Sequence, residues 1–251
     1  MKKQKKKTSK KTTLLIDGDI LIYSVCSATE YVARFDEDTD VVFGNVQEAM
    51  ARAEGILKGW ITQLDAEFVV LGFTGSENYR KEVYPMYKSH RKACRKPCGY
   101  KALKELFHSN YCVKEEAKLE GDDVIGILQT EKTYQNSIII SSDKDLKCIP
   151  GMLFNPDKDE APTMITLEEA NRNWLTQTLT GDKTDGYPGL EGVGPVTAAK
   201  ILKEGKWSEV LQAYENLGYT EEYALTQARC ARILRHGEYN WDTKEISLWQ
   251  P

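Results

Sequence analysis

The chain has 251 residues, of which 41% are hydrophobic, so it can bury the core of one large domain or of a main domain with a smaller appendage. Its apolar stretches are short and its mean hydropathy is −0.52, which excludes a membrane-spanning helix and indicates a soluble protein. The formal net charge is −4, but residues 2–11 supply seven lysines, and without them the count falls to about −11.

Neither a secretion signal nor a disulfide framework is predicted. The apolar run that follows the lysine-rich start is interrupted at once by two aspartates. The six cysteines lack paired CxxC spacing, and a zinc site built from His90, Cys94, Cys98 and His108 would lack a second recognisable ligand pair. We therefore expect reduced thiols in a cytoplasmic protein, with the host cytoplasm as the location if the chain is viral.

The first half of the chain predicts alternating strands and helices. Residues 13–16 read as a buried strand that ends in Asp-Gly-Asp, and residues 20–28 as the opening of a helix. Further helices are predicted at 46–64, 103–107 and 121–129, and further strands at 67–73, 111–113 and 137–142. This alternation is typical of an α/β fold with a mostly parallel central sheet flanked by helices, whose sites form beyond the carboxyl ends of the strands.

From about residue 168 the pattern becomes mainly helical, with a Gly-rich hairpin at 186–194 and a last helical stretch at 221–234. We therefore divide the chain into three parts. Residues 1–12 are expected to form a basic flexible tail, residues 13–167 an α/β core with a basic arch-like insertion at about 76–104, and residues 168–251 a helical DNA-binding part.

Acidic residues recur in three short segments beyond the first strand. Each segment alone has an ordinary interpretation, as a helix N-terminus, a turn after a strand or one side of a helical turn. Three acids within residues 120–123 exceed what a helix cap requires. The candidate metal ligands are Asp17, Glu120, Asp122, Asp123, Asp143, Asp145, Asp182 and Asp185.

Bringing even half of these carboxylates together without counter-ions would cost several kcal/mol in desolvation and repulsion. Oxygen ligands without a histidine cluster select a hard cation such as Mg²⁺, with Mn²⁺ as a substitute. A pair of such ions activates a water molecule and stabilises the attacking and leaving oxygens of a phosphodiester. The acids therefore predict a two-metal phosphodiester hydrolase.

A basic segment with interleaved aromatic residues lies between two predicted core strands, at residues 78–104. This composition suits phosphate contact combined with base stacking, although a solvated basic loop is the plain alternative. Lys88 and Arg91 are the candidate catalytic phosphate contacts. The candidate DNA-binding residues of this segment are Tyr79, Arg80, Tyr87 and Lys92.

The second DNA-handling element is the Gly-rich segment 189–202, which predicts a hairpin that enters a helix. Backbone amides at such a helix start can hold a phosphate. The pattern is that of a helix-hairpin-helix in sequence-independent DNA binders, and K⁺ is a further expected ligand of the hairpin. The candidate DNA-binding residues are Gly192, Gly194, Thr197 and Lys200.

In combination these motifs resemble the flap endonuclease and 5′ exonuclease superfamily. They follow in the order IDGD, YRKEVYPMYKSHRK, EGDD, SSDKD and GDKTDGYPGLEGVGP, and they cover most of the chain. Within the superfamily the sequence is similar to the 5′→3′ exonucleases of podoviruses, including its ending from ARILR through GEYN to KEISLW.

The resemblance implies a PIN/5′-nuclease-like fold and 5′→3′ exonuclease or flap-type activity. Asp17, Glu120, Asp122 and Asp123 would serve a first metal, and the four remaining acids a second. Lys88 and Arg91 would face the scissile phosphate. The implied partners are DNA with a duplex 5′ end, nick or flap and RNA–DNA hybrids, acted on by a monomer away from membranes. The implied roles are phage replication, recombination and host DNA degradation.

One position departs from the family pattern. The family has an aspartate after the second core strand, where this chain has Gly75. Weaker binding of the first metal, or substitution by Glu77, would follow. Two other functions stay open at this point, namely a PIN-like ribonuclease and a non-catalytic DNA-junction binder. The Gly-rich hairpin and the basic insertion speak against the former, and metal-dependent turnover would exclude the latter.

Overall fold

The computed structural model describes residues 11–91 and 95–251. The lysine-rich residues 1–10 and residue Lys92, a predicted DNA contact, lie outside the described residues, as does Cys94. The other five cysteines are free thiols. Within the described part of the chain, no helix is long and apolar enough to cross a membrane.

Six strands form the central sheet, in the order β5-β4-β1-β6-β7-β8. The first five of these are parallel, and β8 joins the edge in antiparallel orientation. A separate antiparallel hairpin is formed by β2 and β3. In chain order the strands are β1 (Thr12–Asp17), β2 (Glu30–Arg34), β3 (Asp40–Gly44), β4 (Ala66–Thr74), β5 (Cys112–Glu116), β6 (Ser137–Ile140), β7 (Gly151–Phe154) and β8 (Thr163–Ile165).

The helices cover both faces of the sheet and form most of the chain beyond it. They are α1 (Gly18–Ala28), α2 (Val46–Gln63), α3 (Arg80–Val83), α4 (Tyr100–Asn110), α5 (Gly121–Thr130), α6 (Leu167–Thr180), α7 (Pro195–Ile201), α8 (Trp207–Asn216) and α9 (Glu221–Ala231). Side-chain caps mark several starts. The Asn45 side chain accepts from Glu48 N at the start of α2, and Thr166 and Glu169 form a capping box at the start of α6.

Strand β1 separates two hydrophobic cores because its side chains alternate between the faces of the sheet. Leu14 and Ile16 pack with α1, α2 and α4, whereas Leu15 packs with α5 and with the helices that follow residue 167. The helical part therefore shares a core with the sheet. The predicted α/β fold with a mostly parallel sheet and a helical C-terminal part is confirmed.

Several elements were not predicted from the sequence. The hairpin β2–β3 has large exposed apolar side chains on its strands, and the strands β7 and β8 are only four and three residues long. Short or exposed strands show little hydrophobic alternation, and the pattern on which the prediction depends is missing there. The division at residue 167 stays a prediction.

Candidate active site

The carboxyl ends of the parallel strands β1, β4 and β6 surround a cavity of about 480 Å³. Six of the eight predicted metal ligands line it, namely Asp17, Glu120, Asp122, Asp143, Asp145 and Asp185. Asp17 is the last residue of β1, Glu120 precedes α5, and Asp143 and Asp145 follow β6. The alternation of strands and helices thus brings acids that are far apart in sequence to one edge of the sheet.

Asp17 is nearly buried, with 6% of its surface exposed. Its carboxylate accepts a hydrogen bond from Ile20 N at 3.0 Å, which caps α1, and another from Ser141 Oγ at 3.1 Å. Burial raises the pKa of Asp17 to about 6, and the charges of Asp19 and Asp143 add to the rise. The protein itself therefore leaves much of the negative charge here uncompensated.

Two further acids that line the cavity have the same electrostatic character. Burial raises the pKa of Asp122 well above its ordinary value, and the charges of Asp17 and Asp143 contribute. Burial also raises the pKa of Asp145 to about 6, with Asp143 as the next cause. We define the acid wall of the cavity by four residues, Asp17, Asp122, Asp143 and Asp145.

The two remaining predicted ligands that line the cavity, Glu120 and Asp185, are paired with cations. Glu120 bonds to Lys88 Nζ, to Arg80 at 3.1 Å and to Tyr87 Oη at 3.0 Å. Burial alone would raise the pKa of Glu120, but Arg80 and Lys88 outweigh it and lower that pKa to about 2. Asp185 accepts from Arg91 and from Tyr87 Oη, both at 2.6 Å. We define the paired wall by Glu120 and Asp185 with these partners.

The donor set of the cavity fits a hard divalent cation. Its acids supply oxygen ligands, which Mg²⁺ prefers, and the acid wall concentrates negative charge that a cation would stabilise. Within residues 11–91 and 95–251, no three His, Cys, Asp or Glu side chains are arranged to hold an ion directly. A bound ion would therefore require side-chain shifts or waters between it and the carboxylates, and Mg²⁺ normally keeps several waters.

Asp123 was predicted as a metal ligand, but its carboxylate does not line the cavity, and the structure gives it another partner. Its side chain is fully buried, and both carboxylate oxygens bond to Arg80 at 2.7 Å. The same carboxylate also accepts from Leu234 N at 3.1 Å and from Glu120 N at 3.1 Å. Asp123 is the counter-ion of a buried arginine that ties α3 and α5 to the end of α9.

Three predicted DNA contacts are buried in the structure. Tyr79, Arg80 and Tyr87 expose 3%, 2% and 1% of their surface, which does not favour stacking on bases or pairing with phosphates, and their contact with DNA stays a prediction. Arg80 donates through Nε to the carbonyl oxygen of Cys230 at 3.0 Å, and its ring neighbours are these two tyrosines. Interleaved basic and aromatic residues here build the base of the insertion, not a stacking surface.

The remaining predicted residues lie elsewhere. Asp182 does not line the cavity, and its Oδ1 accepts from Thr184 N and Asp185 N, so that it shapes the turn that carries Asp185. Its role as a ligand stays a prediction. Gly192 and Gly194 in the loop before α7 and Thr197 and Lys200 in α7 are exposed, and Gly192 has a φ of 75° that favours glycine.

The cavity also contains residues that the sequence did not identify as site residues, among them Asp19, Tyr23 and Gln177, although Asp19 is part of the IDGD motif. Asp19 accepts from Thr74 N at 2.7 Å and from Tyr100 Oη at 2.5 Å. Gln177 donates to Asp145 at 2.6 Å, and Tyr23 is an exposed ring at the cavity edge. Helical spacing could have pointed to Tyr23, but a glutamine in a helix gives no signal.

The missing aspartate at position 75 has a structural reason. A Cβ at Gly75 would lie 2.0 Å from the carbonyl oxygen of Glu116, so a side chain there requires the backbone to shift. Glu77 is exposed and does not line the cavity. Substitution by Glu77 is therefore not supported. The carboxylate that lies beside the end of β4 is that of Asp19.

Comparison with known proteins agrees with this architecture. Residues 12–159 match the family described as "5'-3' exonuclease, N-terminal resolvase-like domain". The chain is 35% identical to the exonuclease of Escherichia phage T7, over 96% of this chain and 94% of that protein. It is 34% identical to the exodeoxyribonuclease of Enterobacteria phage T3, over 96% and 93%.

Among solved structures, a 5'-exonuclease of bacteriophage T5 with bound divalent metal ions (zinc) superposes with a TM-score of 0.64 and 15% identity, over 88% of this chain and 89% of that one. This likeness concerns the fold. The family match and the phage relatives show that the chain belongs to the 5′-3′ exonuclease family. Its enzymatic class is that of a 5′→3′ exonuclease.

Proposed function

We propose that this chain hydrolyses DNA phosphodiesters from a 5′ end with Mg²⁺ held at the cavity beyond β1, β4 and β6. The observation that carries the proposal is the acid wall, where four carboxylates meet at one edge of the sheet, and where burial and neighbouring charges raise the pKa values of Asp17, Asp122 and Asp145. Such a concentration of charge costs stability in a protein without cations, so it is expected where a cation is part of the function.

The ligands differ from the set inferred from the sequence. Asp17 and Asp122, together with Glu120, would hold one ion, and Asp143, Asp145 and Asp185 a second, with Asp182 supporting Asp185. Bound Mg²⁺ supplies a water of lowered pKa and positive charge at the phosphate. Mn²⁺, which shares the preference for oxygen ligands, would substitute.

Lys88 and Arg91, the cations on the solvent-exposed side of the paired wall, are the proposed phosphate contacts. Lys88 and Arg91 now bond to Glu120 and Asp185, and a scissile phosphate at the cavity would take over these bonds. Tyr87 Oη lies 2.6 Å from Asp185 and 3.0 Å from Glu120, so its one proton is shared between the two acids and holds them together. Lys88 has a φ of 54°, and its backbone N–H donates to Asp185 O at 2.6 Å, which fixes its place above the acids.

A second DNA contact would come from the loop that precedes α7. Its exposed residues Gly192 and Gly194, together with Thr197 and Lys200 of α7, suit a helix-hairpin-helix type of contact with the DNA backbone, with K⁺ at the loop. The proposed substrates are duplex 5′ ends, nicks and flaps, and primer RNA on DNA. The proposed setting is DNA replication, recombination or host DNA degradation by a phage in the host cytoplasm, with the enzyme as a monomer.

The test is digestion of duplexes labelled at either the 5′ or the 3′ end, by the wild type and by Asp122→Asn, in Mg²⁺ and in EDTA. We expect Mg²⁺-dependent release of short products from the 5′ label. Asp122→Asn should lower kcat on the order of a thousandfold, because several kcal/mol of transition-state stabilisation depend on the metal. The control Glu160→Gln changes an exposed acid and should leave the rate unchanged.

Three kinds of result would contradict the proposal. Short products from the 3′ label would overturn the polarity. Full activity in EDTA, or a rate of Asp122→Asn equal to that of the wild type, would overturn the role of the acid wall. Tight DNA binding without any cleavage would favour a junction-binding protein.

A further inference from the structure

The far end of the basic insertion is attached to the hairpin β2–β3 by one charged contact. Glu30, the first residue of β2, accepts hydrogen bonds from both terminal nitrogens of Arg95, at 2.5 and 2.9 Å. It also accepts from the backbone N–H of Cys98 at 2.6 Å. The bonds to Arg95 and Cys98 lower the pKa of Glu30 to about 2, so the carboxylate is charged at any physiological pH.

Close packing surrounds this contact. A Cβ at Gly44, the last residue of β3, would lie 2.9 Å from Cβ of Cys98, and the Cys98 thiol donates to the carbonyl oxygen of Val42 at 3.6 Å. Lys96 lies over the Tyr100 ring at 4.1 Å. Residues 95–100 therefore have a defined place on the hairpin, although an isolated two-stranded hairpin has little stability of its own.

The other end of the insertion is held in a different way. Lys88 and Arg91 bond to Glu120 and Asp185, and these two acids are also proposed ligands of metal. Their bonds compete with metal and with a substrate phosphate. Glu30 does not line the cavity, although its partner Arg95 does. The acids that hold one end of the insertion are proposed metal ligands, and the acid that holds the other end is not.

We propose that Glu30 is a positioning residue for the nuclease reaction, which holds residues 95–98 on the hairpin so that Lys88 and Arg91 stay over the cavity. This proposal rests on the proposed function. Glu30 touches no reacting atom. It limits the conformational freedom that the insertion must lose when a substrate binds, and its effect belongs to the binding of substrate more than to the chemical step.

Arg95 acquires a defined role by the same argument. Its guanidinium is occupied by a bidentate bond to Glu30, the geometry in which arginine binds a carboxylate most strongly. Sequence composition alone would assign Arg95 to phosphate contact. The structure assigns it to the attachment of the insertion.

The first measurement is amide hydrogen exchange of residues 95–100, without DNA and without metal. Glu30→Gln and Arg95→Met each break the ion pair, one from the hairpin and one from the insertion. We expect exchange in this segment to become about threefold to fivefold faster in both variants. The control Asp40→Asn breaks the exposed Arg34–Asp40 pair of the same hairpin and should leave this segment unchanged.

The second measurement is steady-state cleavage of a 5′-labelled duplex. In Glu30→Gln and Arg95→Met, KM should rise about threefold to fivefold with kcat within twofold of the wild type. The double variant with Glu30→Arg and Arg95→Glu restores the ion pair with reversed charges, and it should recover most of the loss. If Arg95 acted on phosphate, this variant would bind DNA worse than either single one.

Unchanged exchange at residues 95–100 in both single variants would overturn the proposal, whatever the nuclease does. A fall in kcat with unchanged KM would also overturn it, as would a double variant that recovers neither exchange nor KM. Because the exchange measurement needs no substrate, it distinguishes failure of this inference from failure of the proposed function.

Discussion

The two walls of the cavity differ in the charges that surround their carboxylates. In the paired wall, Glu120 and Asp185 are neutralised by Arg80, Lys88 and Arg91 of the insertion. In the acid wall, burial and the charges of neighbouring carboxylates raise the pKa values of Asp17, Asp122 and Asp145.

This difference shows for which carboxylates of the cavity the chain itself supplies the counter-ions. The paired wall has its cations built in, and it connects the insertion, α5 and α9 through the buried ion pair of Arg80 with Asp123. The acid wall lacks comparable cations among the described residues and depends on an ion from solution. Structure and stability belong mainly to the first wall, and metal chemistry mainly to the second.

The largest expected effect on stability is the loss of the buried arginine from the paired wall. Arg80→Met leaves Asp123 charged, buried and without its counter-ion. Breaking a buried pair from one side costs about 3–5 kcal/mol, which urea unfolding followed by circular dichroism would measure as a lower free energy of unfolding.

The matched control for Arg80→Met is the double variant Arg80→Met with Asp123→Leu. It removes both charges and should recover a large part of the lost stability, because the remaining side chains are apolar. A loss below about 1 kcal/mol in Arg80→Met would contradict the role given to this pair, since that is the range of an exposed contact.

A smaller effect is expected when Mg²⁺ binds the acid wall. At a Mg²⁺ concentration about a hundredfold above its dissociation constant, the folded state should gain about 2.7 kcal/mol, measured as a rise in Tm. NaCl at equal ionic strength is the control, because it screens the charges without being a ligand. An equal rise of Tm in NaCl would mean that the acid wall requires only screening.

Much of the fold and part of the site could be predicted from the sequence. Hydrophobic alternation and helical spacing located β1, β4 and α2, and acids at strand ends located the cavity. The prediction could not separate Asp122 from Asp123, because adjacent residues of a helix start point in different directions and only packing decides which is buried. Asp122 lines the cavity, and Asp123 is enclosed by Arg80 and Leu234.

The basic insertion shows the same limit of prediction from sequence. Composition identifies a cationic segment but not what each cation faces. Arg80 is buried under α9 between Asp123 and Glu120, Arg95 is bound to Glu30, and Lys88 and Arg91 bond to the cavity acids Glu120 and Asp185. Those partners are distant in sequence, and a pattern of local spacing carries no information about them.

The smallest expected effects compare the two walls directly, through the sign of a stability change without metal. Asp122→Asn removes a charge that its neighbours repel, so it should raise the free energy of unfolding by about 1–2 kcal/mol while it lowers activity. Glu120→Gln removes a charge that Arg80 and Lys88 stabilise, so it should lower the free energy of unfolding by about 1–3 kcal/mol. The free energy of unfolding of both variants is measured by thermal unfolding in EDTA.

Both substitutions keep the size of the side chain, so packing is matched and the opposite signs would come from charge. Equal signs would mean that the walls do not differ in the way their carboxylates are neutralised.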